Sequence, residues 1–190
     1  PRTQFAWSYK TNYLDAVCRI FHQEGSWAEV VSGFEYDKAI NNNVPGDKII
    51  FNGPGKSEDD LLKASRNNSL IHIDHLDELL MLIDLSAKHS LKPRVAIRIN
   101  MDAGIHPKWD RFGFNLENGQ AWSAITRIIS DKNLILTGLH CHIGTFVLSP
   151  SAYAVAASKL SALALEIKSK FGRKIDYIDL GGGFPSNNRL

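Results

Sequence analysis

Short apolar runs rich in β-forming residues alternate with segments of helical periodicity along almost the whole chain. This alternation, repeated six times, predicts an α/β fold with a parallel sheet and helical crossovers. A doubly wound sheet and a (β/α)8 barrel both satisfy the pattern, which alone does not separate them. The strands are predicted at residues 4–9, 28–31, 48–51, 70–73, 94–99, 134–140 and 175–180.

Apolar residues at helical spacing predict helices between these strands. Ser57 followed by Asp60 resembles a capping box that opens one of the helices. Three apolar faces are expected to pack on the sheet. They consist of Leu14, Val17, Cys18 and Phe21; of Leu76, Leu79, Leu80 and Ile83; and, within residues 151–171, of Ala156, Leu160, Leu163 and Ile167.

The number of strands favours a TIM-type barrel. Seven of the eight strands that a (β/α)8 barrel needs are predicted, and the sequence stops where the eighth unit would begin. No linker, low-complexity tract or repeat interrupts the series, so residues 1–190 are predicted to form one barrel domain. Because the sequence opens at Pro1 without an initiator Met, we expect a fragment of a longer chain.

Composition restricts the class of protein. The 190 residues are 44% hydrophobic and 22% charged, as in globular domains with a sizeable core rather than in disordered chains. The net charge of +2 gives no strong field for nucleic acid or a membrane surface, and no apolar run is long enough to span a bilayer. Cys18 and Cys141 lie far apart without CxxC spacing. These features predict a cytoplasmic protein with a small-molecule partner.

Polar residues and glycines follow the predicted strands. Because the C-terminal ends of parallel strands share one face of an α/β fold, we expect these residues to converge on one site. They are Lys10, Ser32, Asn52, Gly53, Asp74, His75, Arg98 to Asn100, His142 to Thr145 and Gly181 to Gly183.

Three of these features permit chemistry but also have ordinary explanations. Gly181, Gly182 and Gly183 can direct backbone N–H groups at a phosphate, or can form a plain tight turn. Lys10 can act as an amine nucleophile beside apolar walls, although most lysines at strand ends are solvated. Arg98 interrupts an apolar strand, so its guanidinium needs either an anionic ligand or an internal ion-pair partner.

His140 and His142 alternate, so as strand residues they would point to the same side. A metal pair is one interpretation. No third ligand at the usual zinc spacing accompanies them, however, and Asp74, His75 and His106 are only loosely suggestive. We therefore predict no metal site and favour a histidine packed on an aromatic ring.

In this order, the segments resemble motifs of the fold-type III pyridoxal-phosphate-dependent decarboxylases, the family of diaminopimelate, ornithine and arginine decarboxylases. The distinctive segments are residues 138–145, similar to GLHCHIGS, and residues 180–184, similar to LGGGF. The shorter segments are residues 8–12, similar to part of YAVKAN; 30–35, similar to VVSGGE; 51–56, similar to FxGxxK; 98–100, similar to RVN; and 111–113, similar to KFG.

The resemblance implies pyridoxal 5′-phosphate as the cofactor, with Lys10 carrying it as a Schiff base. It implies Lys10 and His142 as catalytic residues, with His142 stacked on the pyridine ring. The other residues that it implies for cofactor binding are Arg98 near the ring and Thr145, Gly181, Gly182 and Gly183 at the phosphate.

The activity implied is decarboxylation of an amino acid, either diaminopimelate or another basic or dicarboxylic amino acid. The diaminopimelate branch, which belongs to lysine biosynthesis, is the closest in its motifs. The resemblance also implies a homodimer. Carboxynorspermidine and polyamine-precursor decarboxylases are close alternatives within the family. A pyridoxal-phosphate-dependent racemase and a non-catalytic binding relative also stay open.

Several positions depart from the family pattern. Ser8 and Tyr9 replace Ala-Val before the lysine, Phe34 replaces a glycine, Arg111 replaces the lysine of KFG, and Thr145 replaces a serine. The family's EPGR segment and its C-terminal β-domain are expected to lie outside these 190 residues. We therefore expect this chain alone to hold the cofactor weakly and to be weakly active or inactive.

Overall fold

The computed structural model describes residues 3–105 and 107–186. In that part of the chain, parallel strands alternate with helices, so the predicted α/β class is confirmed. The chain divides into two compact units, Pro1–Val95 with Lys132–Ile135 and Ala96–Asp131 with Leu136–Leu190. None of the helices in the described ranges combines the length and the apolar character needed to cross a lipid bilayer.

In the first unit, four parallel strands pair in sequence order, so that Trp7 lies beside Ala28 and Ile50 lies beside Leu70. The third and fourth strands are buried at every position, as expected for a parallel sheet covered by helices. The elements are β1 (Ala6–Ser8), α1 (Asp15–Gln23), β2 (Trp27–Val30), α2 (Gly33–Asn41), a 3-10 turn (Gly46–Lys48), β3 (Ile49–Phe51), α3 (Glu58–Arg66), β4 (Leu70–Ile73) and α4 (Leu76–His89).

The second unit contains most of β5 (Arg94–Asn100) and β7 (Ile135–His140), which are neighbours in the sheet. On β7, Gly138 pairs with Tyr177 of the parallel strand β8. A further strand of only two residues, β6 (Phe114–Asn115), pairs with β5. It was not predicted, because two residues are too few to show the alternation of apolar and polar residues that marks a strand. The remaining elements are α5 (Gln120–Ser130), α6 (Pro150–Phe171) and β8 (Tyr177–Asp179).

The predicted helix faces are confirmed to different degrees. All four residues predicted for the buried face of α6 are buried, and the capping box that opens α3 is present. On α4 only Leu79 of the four predicted residues is fully buried: Leu80 and Ile83 are half-buried and Leu76 is exposed. The buried face is rotated from the predicted one, and Leu82 and Leu85 complete it.

The face predicted for α1 is wrong. Only Cys18 is buried on this helix, whereas Leu14 is 64% exposed. Leu14 occupies the N-cap, so it precedes the first helical turn and does not share its face. Phe21 instead stacks on Trp7 with 3.7 Å between the ring centroids.

Candidate functional site

Lys10 lies in the tight turn that follows β1, in the first unit. Both the backbone N–H and the hydroxyl of Thr11 donate to the carbonyl of Ser8, at 3.2 and 2.7 Å, and so close the turn. The Lys10 side chain is exposed, so its amine is accessible to a carbonyl compound.

Two glutamates interact with this segment, and neither was predicted as a site residue from the sequence. Glu29 is half-buried on β2; it accepts a hydrogen bond from the Ser8 hydroxyl and another, at 3.3 Å, from the Asn52 amide. Glu35 accepts the backbone N–H of Val31 at 2.8 Å. A charged residue inside the short apolar strand β2 is the signal that could have identified Glu29.

Burial raises the pKa of the Glu35 carboxyl above its usual value. The negative charge of Glu29 adds to this rise, while the Val31 N–H and the charge of Lys10 oppose it. The Lys10 amine therefore lies within electrostatic reach of a carboxyl group in the same unit.

Other strand-end polar residues of the first unit have local structural roles. Ser32 is the N-cap of α2 and accepts the N–H of Glu35 at 3.3 Å, while His75 is the N-cap of α4 and accepts the N–H of Glu78 at 3.2 Å. Lys56 and Glu78 form a buried ion pair at 2.7 Å. Helix capping thus accounts for Ser32 and His75 among the polar residues predicted to cluster.

Arg98 and Asn100 lie within β5, which extends to Asn100, and not after a strand as predicted. Arg98 is 8% exposed, and its guanidinium carbon lies 4.8 Å from the centre of the Phe112 ring. Asn100 donates to the carbonyls of Phe112 and Gly113, both at 2.9 Å, and so fixes the segment that leads into β6.

The two histidines of the HCH segment have different environments. β7 ends at His140, as predicted, so His142 lies beyond the strand and the alternation of strand side chains does not apply to the pair. His140 is 1% exposed, and its Nδ1 lies 3.2 Å from an oxygen of Asp179. His142 is half-buried and meets the ring of Trp109 edge to face, with centroids 5.8 Å apart. His106 lies outside the described residues.

The three glycines after β8 form a loop with defined hydrogen bonds rather than a loose turn. The N–H of Gly181 donates to Asp179 at 2.7 Å. The carbonyl of Gly182 accepts the Tyr153 hydroxyl at 3.0 Å, and the carbonyl of Gly183 accepts the N–H of Val147 at 2.9 Å. With these bonds made, the N–H groups of Gly182 and Gly183 are the candidate donors to an anion.

This loop lies directly against the His142 segment. A Cβ atom at Gly183 would lie 2.0 Å from the carbonyl oxygen of Gly144, and one at Gly181 would lie 2.6 Å from the carbonyl oxygen of Cys141. Both glycines also have positive φ, at 84° and 70° respectively. Only glycine fits these two positions, and their backbone is thereby brought beside the His142 ring.

Cys141 and Thr145 flank this arrangement on either side of His142. Burial raises the pKa of the Cys141 thiol to about 12, with a further contribution from the negative charge of Asp179 and an opposing one from Arg98. The thiol therefore stays protonated and unreactive at neutral pH. Thr145 is exposed, so its hydroxyl is open to a ligand.

The structure thus brings His142, Gly181 and Gly183 together in the second unit, and Thr145 follows His142 by three residues. Arg98 lies near enough to influence the Cys141 thiol. Lys10 belongs to the first unit, where its neighbours are those described above. A glycine loop that admits no side chain at Gly181 and Gly183, packed beside a half-buried imidazole, fits a phosphate attached to an aromatic ring.

Residues 1–189 match the family "Pyridoxal-dependent decarboxylase, pyridoxal binding domain". The diaminopimelate decarboxylase of Methanocaldococcus jannaschii is 31% identical over 187 residues, which are 94% of this chain and 42% of that protein. The enzyme of Bacillus subtilis is 29% identical over 96% of this chain and 44% of its own length. The chain therefore spans less than half the length of these relatives.

A solved structure of the M. jannaschii diaminopimelate decarboxylase superposes on this chain with a TM-score of 0.90 at 30% identity. The superposition covers 98% of this chain and 45% of that one, and it confirms the fold class predicted from the sequence. Together with the match over residues 1–189, it establishes that the chain belongs to the pyridoxal-dependent decarboxylase family and corresponds to its pyridoxal-binding domain.

Proposed function

We propose that this protein binds pyridoxal 5′-phosphate and decarboxylates an amino acid, either diaminopimelate or another basic or dicarboxylic amino acid. The observation that carries the proposal is the glycine loop packed against His142, because it offers backbone N–H groups to a phosphate beside an aromatic ring. Family membership supports the choice of cofactor.

The names of the relatives support diaminopimelate as the substrate. A further M. jannaschii diaminopimelate decarboxylase structure, 29% identical to this chain with a TM-score of 0.89, was solved with L-lysine. L-lysine is what remains of diaminopimelate after one carboxylate is lost as carbon dioxide. Because the chain spans less than half of the relatives, this activity is proposed for the intact gene product.

Each predicted site residue has a role in this proposal. The amine of Lys10 would hold the cofactor through a covalent bond, with the Glu35 carboxyl within electrostatic reach. The imidazole of His142 would fix the plane of the cofactor ring. When bound, pyridoxal phosphate supplies an electron-withdrawing ring that accepts the electron pair left by a departing carboxylate.

The remaining residues would bind the anionic parts of the ligand. Backbone N–H groups of the loop Gly181, Gly182 and Gly183 would bind the phosphate, with help from the Thr145 hydroxyl. Because the N–H of Gly181 already donates to Asp179, we assign most of this binding to Gly182 and Gly183. Arg98 would lie near the ring and add a fixed positive charge.

We also propose that the intact protein is a homodimer in the cytoplasm. The homodimer follows from the family resemblance in the sequence. Both cysteines, Cys18 and Cys141, are free and buried, as is common in reducing compartments.

Release of carbon dioxide from carboxyl-labelled amino acids, measured with the intact protein and pyridoxal phosphate, tests the proposed activity. We expect release from diaminopimelate or from another amino acid with a polar distal group. Lys10→Ala should abolish release, while Lys88→Ala, which alters an exposed lysine on α4, should leave it unchanged. Equal release from the Lys10→Ala protein would refute the proposal, and racemisation without carbon dioxide would replace decarboxylation by the alternative reaction.

A further inference from the structure

Trp109 contacts His142 directly. It lies between β5 and β6, and the two rings meet edge to face, with centroids 5.8 Å apart and planes inclined by 77°. This is one of the two preferred geometries for aromatic pairs, because the positive edge of one ring meets the negative face of the other. Trp109 is therefore in a position to restrict rotation of the imidazole.

Arg111 supports Trp109 on its ring face. The guanidinium carbon lies 4.7 Å from the centre of the indole ring, while the Arg111 side chain is otherwise exposed. A planar guanidinium stacks on an indole better than an ammonium group does. This contact accounts for arginine at the position where the family motif KFG has lysine.

The glycine loop restricts His142 from another direction. The Nδ1 atom of His142 lies 3.1 Å from where a Cβ atom would be at Gly181, and Cε1 lies 3.4 Å from the same point at Gly183. The segment that carries Trp109 also approaches the neighbouring backbone, because Ile105 lies 4.0 Å from the Cβ position of Gly144. The imidazole is therefore held between a backbone loop and an indole ring, all within the second unit.

The indole N–H of Trp109 is buried and has no hydrogen-bond partner among residues 3–105 and 107–186. The ring is thus held in the described structure by its contacts with His142 and Arg111 rather than by that N–H. A phenylalanine keeps an aromatic ring and loses the N–H, whereas a leucine loses both. The two substitutions therefore separate a ring contact from a hydrogen bond.

We propose that Trp109, stacked under Arg111, is a positioning residue that sets the orientation of the His142 imidazole. It acts through His142 and does not itself take part in the reaction. Its effect on the cofactor rests on the proposed function, in which His142 lies against the pyridine ring. Its effect on the orientation of the imidazole does not depend on the cofactor and can be measured without it.

The first measurement follows the His142 ring proton resonance in the intact protein without cofactor, with the resonance assigned from a His142→Gln variant. Trp109→Leu should move this resonance, because the ring current of the indole is lost, and Trp109→Phe should move it less. Trp122→Leu is the matched control, because Trp122 also contacts an aromatic ring, that of Phe171 at 5.5 Å, and a cation, that of Lys170 at 4.8 Å. A His142 resonance that is unchanged in Trp109→Leu would overturn the proposal.

The second measurement is the dissociation constant of pyridoxal phosphate. We expect Trp109→Leu to raise it about two- to tenfold, the range that an aromatic pair contributes, with Trp122→Leu close to wild type. Arg111→Ala should raise it less, and should add nothing in the Trp109→Leu background. Equal effects of the two tryptophan substitutions would overturn the proposal, since they would indicate a general loss of stability.

The two measurements keep this inference separate from the proposed function. If the wild-type protein takes up no pyridoxal phosphate, the proposed function fails and the His142 resonance alone decides whether Trp109 positions the ring. If the cofactor binds but the resonance does not respond to Trp109→Leu, the proposed function stands and the positioning role is refuted.

Discussion

Gly183 offers a sharp test of the glycine loop. Its φ is +84°, and a Cβ atom there would lie 2.0 Å from the backbone oxygen of Gly144. Gly172, the C-cap of α6, has φ of +67° and nothing within 4 Å of its Cβ position. The two glycines therefore share a left-handed backbone, and only Gly183 is also crowded.

The expected magnitudes follow from this difference. An alanine in the left-handed region costs about 1–2 kcal/mol of folding free energy, and we expect that loss for Gly172→Ala. Gly183→Ala must in addition displace the loop and lose the hydrogen bond from Val147, so we expect about 2–3 kcal/mol in all. A displaced loop that loses one charge-assisted bond to the phosphate should bind pyridoxal phosphate about ten- to hundredfold more weakly.

Urea unfolding gives the first quantity for both variants, and titration of the cofactor by its absorbance gives the second. Gly172→Ala should lose stability while binding pyridoxal phosphate as the wild type does. The reasoning is refuted if Gly183→Ala binds the cofactor as tightly as Gly172→Ala.

Three further predictions concern the free energy of unfolding. Lys56→Met leaves the Glu78 carboxylate buried without its cation, so it should lower the free energy of unfolding, measured by urea unfolding, by roughly 3–5 kcal/mol. Lys63→Met breaks an exposed ion pair and should lower this free energy by less than about 1 kcal/mol. Burial raises the pKa of Cys141 from 9.0 to about 12, so between these pH values the folded protein keeps a thiol proton that the unfolded chain releases. The contribution of the protonated thiol to the free energy of unfolding is therefore complete below pH 9 and should be lost between pH 9 and 12. Urea unfolding at a series of pH values measures this loss. Leu160→Ala on the buried face of α6 should cost about 2–5 kcal/mol in the same assay.

Each of these predictions has a contradicting result. Similar losses for Lys56→Met and Lys63→Met would show that the buried pair contributes no more than an exposed one. Unchanged pH dependence in a Cys141→Ala variant would exclude the thiol as its source. A loss near zero for Leu160→Ala would contradict its placement in the core, and Leu165→Ala, at a 67% exposed position, provides the comparison.

Local patterns predicted the fold where local forces determine it. The strand predicted at residues 70–73 coincides with β4, because a buried parallel strand is mostly apolar, here at three of its four positions, with His72 the exception. Ser57 and Asp60 form the predicted capping box, which depends only on residues three apart. The face of α6 was predicted correctly because a long helix repeats its period several times.

The predictions from the sequence failed where contacts between residues distant in sequence determine the structure. β6 exists because Phe114 pairs with Ile99 and because the Asn115 amide donates to Asn100 at 2.8 Å, and neither partner is near in sequence. The Lys56–Glu78 pair joins residues 22 positions apart, so its role could not be assigned from the pattern. Burial of α1 was overestimated because the pattern does not show where its N-cap lies.

The residues around the candidate site were likewise predicted only in part. The glycine loop and His142 were predicted from their motifs, whereas Glu29 and Trp109 were not, since neither belongs to a motif that was interpreted. Their roles depend on contacts with Ser8 and His142 that only the folded chain makes.

The central claim is that Lys10 carries the cofactor. Borohydride reduction of the intact protein incubated with pyridoxal phosphate, followed by peptide mapping, tests it most directly, because reduction fixes the cofactor to the amine that holds it. We predict a single pyridoxyl group on the peptide that contains Lys10, with no label on that peptide in Lys10→Ala. A pyridoxyl group on another lysine, or none at all, would contradict the account.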